Sequence, residues 1–268
     1  MDRIQRRLAV IREDKILISH ENISGNGVLD HADIQLRAER LKELFPAAKI
    51  IVTLRRQADF IESLYKQSLH NFWSIPVSDF LIEDQSRPPP PINQPHVKLS
   101  STNWRALVRA FATAFGQENV LILVYEELNK DRRRFLDTLY AFLGVAPYFP
   151  DAVGSHNKSY SALSCRLAYF LNRFVRSDHQ PRGIIVIRPF FEFLLSRRER
   201  NIIYRLLCGL SRRIDLRWFL QNVIDRIQYR SAHLLDEKRK ERIKEFHAED
   251  NRQLDNEYNL GLGRYGYF

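Results

Sequence analysis

The chain has 268 residues, enough for one large domain or two small ones with a substantial buried core. Its 44% hydrophobic and 28% charged residues are those of an ordinary soluble globular protein. A net charge of +10, from 42 Lys and Arg against 32 Asp and Glu, favours acidic partners: nucleotides, nucleic acid, anionic glycans or a membrane face.

Cys165 and Cys208 form neither a metal-ligating spacing nor a disulfide framework, and a reducing, cytoplasmic setting is the simpler expectation. The opening MDRIQRRLAVIREDK lacks the apolar core of a signal peptide, and no window approaches the ~18 uninterrupted apolar residues of a membrane span.

Ile4, Leu8 and Ile11 recur at helical spacing, which predicts an amphipathic helix over 2–13. KILISHE (15–21) is a short apolar run of strand type entering the turn NISGNG. Residues 31–45 read as a helix with Ile34, Ala38, Leu41 and Leu44 on one face, stopped by Pro46. KIIVTL (49–54) is β-branched without alternation, the pattern of a strand covered on both faces, and DFIESLYKQSLHNF continues as a helix. From Ser74 to Asn103 the periodicity fails, and SRPPPPINQP (86–95) is a polyproline excursion. Residues 103–115 are helical, NVLILVYEEL (119–128) is a third buried strand ending on acids, and DRRRFLDTLYAFLGV is a helix closed by Gly144. Such alternation argues for an α/β layered fold with a parallel sheet. From Ser161 to Asn259 the pattern is largely helical, with a basic amphipathic run between Arg182 and Arg217. Within it, RRERNIIYRLLCGLSRRIDLRW (197–218) suits a helix pair with a solvated basic face; a glycan- or membrane-binding surface is the alternative.

Ligands of open parallel sheets collect outside the carboxyl ends of the strands, where Arg55 stands; Ser63 follows eight positions later on the next helix. A guanidinium offers paired planar donors suited to phosphate, and a hydroxyl adds one more. An Arg there can equally pair with Asp59 or Glu62 while the Ser faces water. His20 and Glu21 end the first apolar run, either as a polar strand end or as acid–base groups. His31, His70, His96, His179, His233 and His247 show no ligand spacing, and none is assigned to a metal.

Three segments in this order, FPAAKIIVTLRRQADFIESLY (45–65), FGQENVLILVYEEL (115–128) with FLDTLYAFLGV after it, and HNKSYS (156–161), resemble the sulfotransferase family, especially its bacterial and carbohydrate-acting branches. The resemblance implies a P-loop-kinase-like three-layer α/β fold, one domain over 1–268 with a donor-binding core over 1–160 and a mostly helical extension over 161–268. It implies Arg55 and Ser63 as ligands of the 3′-phosphate of 3′-phosphoadenosine 5′-phosphosulfate (PAPS), with Arg56 and Gln57 where the family often has Asn-Pro. It implies Glu21, with His20 as alternate, as the base that deprotonates an acceptor hydroxyl, and a structural role for Tyr125, Glu126 and Glu127. Asn157 and Ser159 match a donor-site or substrate-loop element. The implied partner is a carbohydrate or polysaccharide acceptor rather than nucleic acid, with no metal.

The family's Lys-x-Gly-Thr-Thr/Ser loop for the 5′-phosphosulfate has no counterpart here, the first glycine being Gly25. The expectation is therefore an N-terminally incomplete sulfotransferase whose loop-bearing first strand is missing. The alternative is a non-catalytic remnant that binds anions or a partner.

Overall fold

A computed structural model of the chain describes residues 15–20, 23, 33–83, 94–149, 159–176, 183, 185–186, 216–227 and 233–268. Ile34–Leu44 (α1) buries Ala38 and half-buries Ile34, Leu41 and Leu44, the face its spacing marks out. Ile50–Leu54 (β1) leads through Arg55 and Arg56 into Gln57–His70 (α2). A single turn, Val77–Phe80 (α3), runs straight into Leu81–Ile82 (β2), which pairs in parallel with Val97–Lys98 (β3). Trp104–Phe115 (α4), Val120–Val124 (β4), Tyr125–Lys130 (α5) and Arg132–Leu143 (α6) complete the regular α/β part. Ala162–Leu171 (α7), the parallel pair Val175–Arg176 (β5) and Ile185–Val186 (β6), Leu216–Phe219 (α8), a π-helical turn over Leu220–Ile224, Asp225–Ile227 (α9) and Glu237–Tyr258 (α10) follow.

The chain divides into two compact units. The first comprises Met1–Arg56, Leu99–Phe149 and Lys244–Phe268, and the second Gln57–Lys98 and Pro150–Ile243. In the first, β1 and β4 pair in parallel from Ile50↔Val120 to Leu54↔Val124, so both strands run out at the same level. Helix α4 packs on both strands and on α1, and α6 packs on β4. Val52, Leu54, Val108, Phe111, Ile122, Leu123 and Phe135 are buried between them. Gly144 takes the left-handed conformation (φ 60°) that stops α6, and the exposed carbonyls of that helix end are capped by two lysines. Lys49 donates to Phe142 O at 3.0 Å and Lys15 to Leu143 O at 2.8 Å.

Helix α4 is started by Asn103, whose side-chain oxygen accepts from the Ala106 N–H at 2.9 Å. Its amide group donates to Asp250 on α10 at 2.7 Å. One residue earlier, the buried Thr102 hydroxyl donates to Leu99 O at 2.9 Å, so its oxygen is left to accept from His247 Nε2, 3.0 Å away. That arrangement makes His247 a neutral Nε2–H tautomer, with a buried Nδ1 that has no hydrogen-bond partner among the described residues. Burial pushes its pKa from 6.5 down to about 4, against the opposing pull of Asp250 and the Leu99 carbonyl.

The second unit is built on α2, whose Ile61, Leu64, Tyr65 and Leu69 are buried. Tyr65 donates to Ile75 O at 2.7 Å, and the Asn172 amide ties Leu69 O and Trp73 O, both at 2.9 Å. Ser161 and Ser164, at the start of α7, converge on the buried Asp225 that follows the π turn: the Ser161 N–H and the Ser164 hydroxyl both donate to its Oδ1. Burial raises the neighbouring Cys165 thiol to about 12, with Lys66 pulling the other way.

The α/β class implied by the alternating pattern is the class observed. Two local expectations are corrected. Residues 15–20 of the predicted 15–21 strand carry no strand pairing, and Ile16, Leu17 and Ile18 are exposed; apolarity and β-propensity make a strand only where a ladder partner is available. The predicted 119–128 strand ends at Val124, and Tyr125, Glu126 and Glu127 instead form the first turn of α5, where acids suit the helix dipole. The predicted helix over 2–13 and most of the polyproline stretch lie outside the described residues, as does most of the basic run 182–217. Among the described residues no helix is long and apolar enough to cross a membrane.

The His247 geometry has a pH signature. Because the folded state binds this proton more weakly than the unfolded chain, its contribution to stability is full above pH 6.5 and is lost as pH falls toward about 4. Urea unfolding at pH 7 and at pH 4.5 should therefore differ by up to roughly 3 kcal/mol more in the parent than in His247→Gln, which keeps a donor to Thr102 but cannot charge. Equal losses in the two proteins would contradict the assignment.

Candidate functional site

The β1–β4 register decides which side chains meet at the carboxyl end of the pair. With Leu54 opposite Val124, Arg55 and then Arg56 follow the end of one paired strand, and Tyr125 and then Glu126 follow the end of the other. The Arg55 guanidinium lies over the Tyr125 ring, 5.0 Å from its centre, a cation–π contact that leaves the N–H groups free to bind an anion. It is half-buried and makes no hydrogen bond or ion pair among the described residues.

The backbone beneath it is held more firmly than the side chain. The Arg55 carbonyl accepts from the indole N–H of Trp104, at the start of α4, at 2.8 Å. The Arg56 N–H donates to Glu126 Oε1 at 3.0 Å. These two groups belong to one peptide unit, so the plane linking Arg55 to Arg56 is fixed from both sides by side chains of two helices. Glu126 Oε2 in turn accepts from the hydroxyl of Tyr267, a fully buried residue in the C-terminal segment, at 2.9 Å. The Arg56 guanidinium stands 3.7 Å from Glu126 Oε1 and offsets part of its charge. Glu127 pairs outward with Arg134 at 3.1 Å.

The other predicted residues stand as follows. Ser63, on the second turn of α2, belongs to the second unit; its hydroxyl is exposed and makes no hydrogen bond among the described residues. Glu62, a candidate ion-pair partner for Arg55, has its Oε1 engaged by the N–H groups of Leu234 and Leu235, both at 2.9 Å. His20 is exposed, and its carbonyl accepts from the Ile23 N–H at 3.1 Å, closing a turn. Glu21 and Asn157 lie outside the described residues, and Ser159 is exposed just ahead of the buried Tyr160.

Sequence reasoning missed Trp104 and Tyr267 and gave Glu126 only a general structural part. A signal for Glu126 was present: Arg-Arg follows one buried strand and Tyr-Glu-Glu the other, complementary ends once the strands are aligned. Nothing in the spacing marks Trp104 or Tyr267.

Residues 34–151 match the model of the Sulfotransferase family. Over this stretch the chain is similar to the sulfotransferase family. The matched span contains Arg55, Ser63, Trp104 and Glu126, so the fixed peptide and its half-buried cation lie within the matched segment. Among solved structures, one titled as a sulfotransferase from Alicyclobacillus acidocaldarius is similar at 21% identity over 63% of this chain, with a TM-score of 0.43. The chain spans 65% of that structure's length. No curated protein matches.

If the Trp104 indole holds the Arg55 carbonyl, Trp104→Phe keeps most of the buried ring and removes one donor. Chemical denaturation should show a loss of about 1–2 kcal/mol, the cost of leaving a sheltered carbonyl unpaired. An unchanged midpoint would mean that water replaces the indole.

Proposed function

We propose that this protein transfers a sulfuryl group from PAPS to a hydroxyl of a carbohydrate or polysaccharide acceptor. The observation that carries the reading is Arg55: a half-buried guanidinium at the carboxyl end of a parallel pair, with a fixed backbone and no carboxylate partner among the described residues. Leaving a cation in that position without a counter-ion is unfavourable unless an anion arrives. The similarity of residues 34–151 to the sulfotransferase family supports a phosphate of the sulfuryl donor as that anion.

In this reading Arg55 and Ser63 take the donor's 3′-phosphate, the guanidinium by paired N–H donors and the hydroxyl by one more. Glu21, with His20 as alternate, removes the acceptor proton as its oxygen attacks sulfur. The bond from sulfur to the 5′-phosphate oxygen breaks, and adenosine 3′,5′-bisphosphate leaves. The carbohydrate acceptor is supported by the branch of the family that the motifs resemble and by the net charge of +10, which suits an anionic glycan.

Calorimetric titration with adenosine 3′,5′-bisphosphate tests the donor half. The parent should bind, Arg55→Ala should lose at least tenfold in affinity, and Ser63→Ala should lose several-fold, as expected for one charge-assisted contact and one neutral one. A parent that binds nothing overturns the reading. Binding without transfer from PAPS to any of a panel of glycans would instead favour a chain that binds anions without catalysing transfer.

A further inference from the structure

A carboxylate beside a phosphate site is electrostatically adverse, yet Glu126 follows the end of β4 by two residues and bonds the peptide that carries Arg55. Both of its oxygens are in use: Oε1 takes the Arg56 N–H at 3.0 Å and Oε2 takes the Tyr267 hydroxyl at 2.9 Å. Its side chain is largely shielded from water, so these bonds are not readily exchanged for bonds to solvent. Tyr267 is itself immobilised, because its carbonyl accepts from the buried Asn251 amide on α10 at 3.0 Å. A continuous chain of contacts thus runs from α10 through the C-terminal segment to the peptide that carries Arg55.

We infer that Glu126 is a positioning residue for the anion site and that Tyr267 sets its orientation. The inference rests on Arg55 as a phosphate ligand. Rotation of the Arg55–Arg56 peptide plane would redirect the Arg55 Cα–Cβ bond and with it the guanidinium. The Trp104 bond fixes the carbonyl side of that plane, and the Glu126 bond fixes the N–H side. Without the Tyr267 hydroxyl, the Glu126 carboxylate can turn about its terminal torsion, and the N–H side of the plane loses its anchor. The Tyr125 ring then no longer lies squarely under the cation, and paired N–H donation to a phosphate loses its alignment.

The sign of one substitution separates this role from a purely electrostatic one. Glu126→Gln removes a negative charge near a bound phosphate, so field effects alone would tighten binding. Positioning predicts the opposite, because the neutral amide exchanges two charge-assisted bonds for weaker neutral ones, its oxygen accepting from the Arg56 N–H and its NH2 donating to the Tyr267 oxygen. The measurement is the affinity for adenosine 3′,5′-bisphosphate by calorimetry, for the parent, Arg55→Ala, Glu126→Gln and Tyr267→Phe, each shown by thermal unfolding to be folded at the titration temperature. The expected result is a three- to tenfold weaker affinity for both Glu126→Gln and Tyr267→Phe, with the parent binding and Arg55→Ala failing. Tyr267→Phe removes a single oxygen and no charge, so it keeps the test open if Glu126→Gln does not fold. Tighter or unchanged binding by either folded variant overturns the inference and leaves the donor-site reading standing. A parent that binds no nucleotide takes down both. A residue that only stabilised the fold would lower the unfolding temperature and leave the affinity of the folded protein where it was.

Discussion

A strand that ends inside a protein must dispose of its last peptide group, because a buried carbonyl or N–H without a partner costs as much as a lost hydrogen bond. β1 meets this demand at the Arg55–Arg56 peptide by recruiting Trp104 for the carbonyl and Glu126 for the N–H. Neither partner is backbone, so the peptide is oriented by two helices rather than by a neighbouring strand. The rest of the carboxyl end follows from that choice. Helix α4 must begin at Trp104, which Asn103 ensures by capping it, and α5 must begin at Tyr125 so that Glu126 falls in its first turn. The Tyr267 hydroxyl then has to reach Glu126, which draws the C-terminal segment in and buries it.

The acids of this basic chain are used with the same economy. Glu62 and Asp225 are buried, and each engages neutral donors, the N–H groups of Leu234 and Leu235 in one case and Ser161 and Ser164 in the other. Backbone amides and hydroxyls thus supply the contacts that a cation would otherwise make with Glu62 Oε1 and Asp225 Oδ1. Glu62, one of the acids closest in sequence to Arg55, is thereby occupied elsewhere. Acids nearer the surface behave differently: the exposed Glu257 pairs with Arg105 at 2.7 Å and the half-buried Glu83 with Arg242 at 3.0 Å, contacts that solvent partly screens.

What could be read in advance followed the strength of local pattern. The face of α1, the two buried runs that became β1 and β4, and the stop at Gly144 were legible because a 3.6 or continuous apolar period and a left-handed glycine are written in single residues. The end of β4 was not. VYEEL continues an apolar run by composition, and only the demand of the Arg56 N–H for an acceptor explains why the chain turns helical at Tyr125. KILIS failed for a related reason: it resembles KIIVT residue for residue, but a strand is a property of two segments and its partner cannot be read from one. Arg55 was singled out as a candidate because the carboxyl end of a parallel strand is a known place for ligands. Trp104 and Tyr267 were invisible, since they meet Arg55 and Glu126 across 49 and 141 positions of sequence.

The bond from Trp104 to the Arg55 carbonyl has one further consequence, in light rather than in free energy. The chain has three tryptophans, and Trp218 is exposed whereas Trp104 is buried with its indole N–H tied to the peptide that carries the site's cation. An excited indole shifts its charge toward the ring, so its emission responds to the field and rigidity around that N–H. An anion bound at the guanidinium of the same residue, Arg55, would alter both. The protein thus contains its own fluorophore beside Arg55, and replacing both the exposed Trp218 and the half-buried Trp73 would leave that reporter as its one remaining indole.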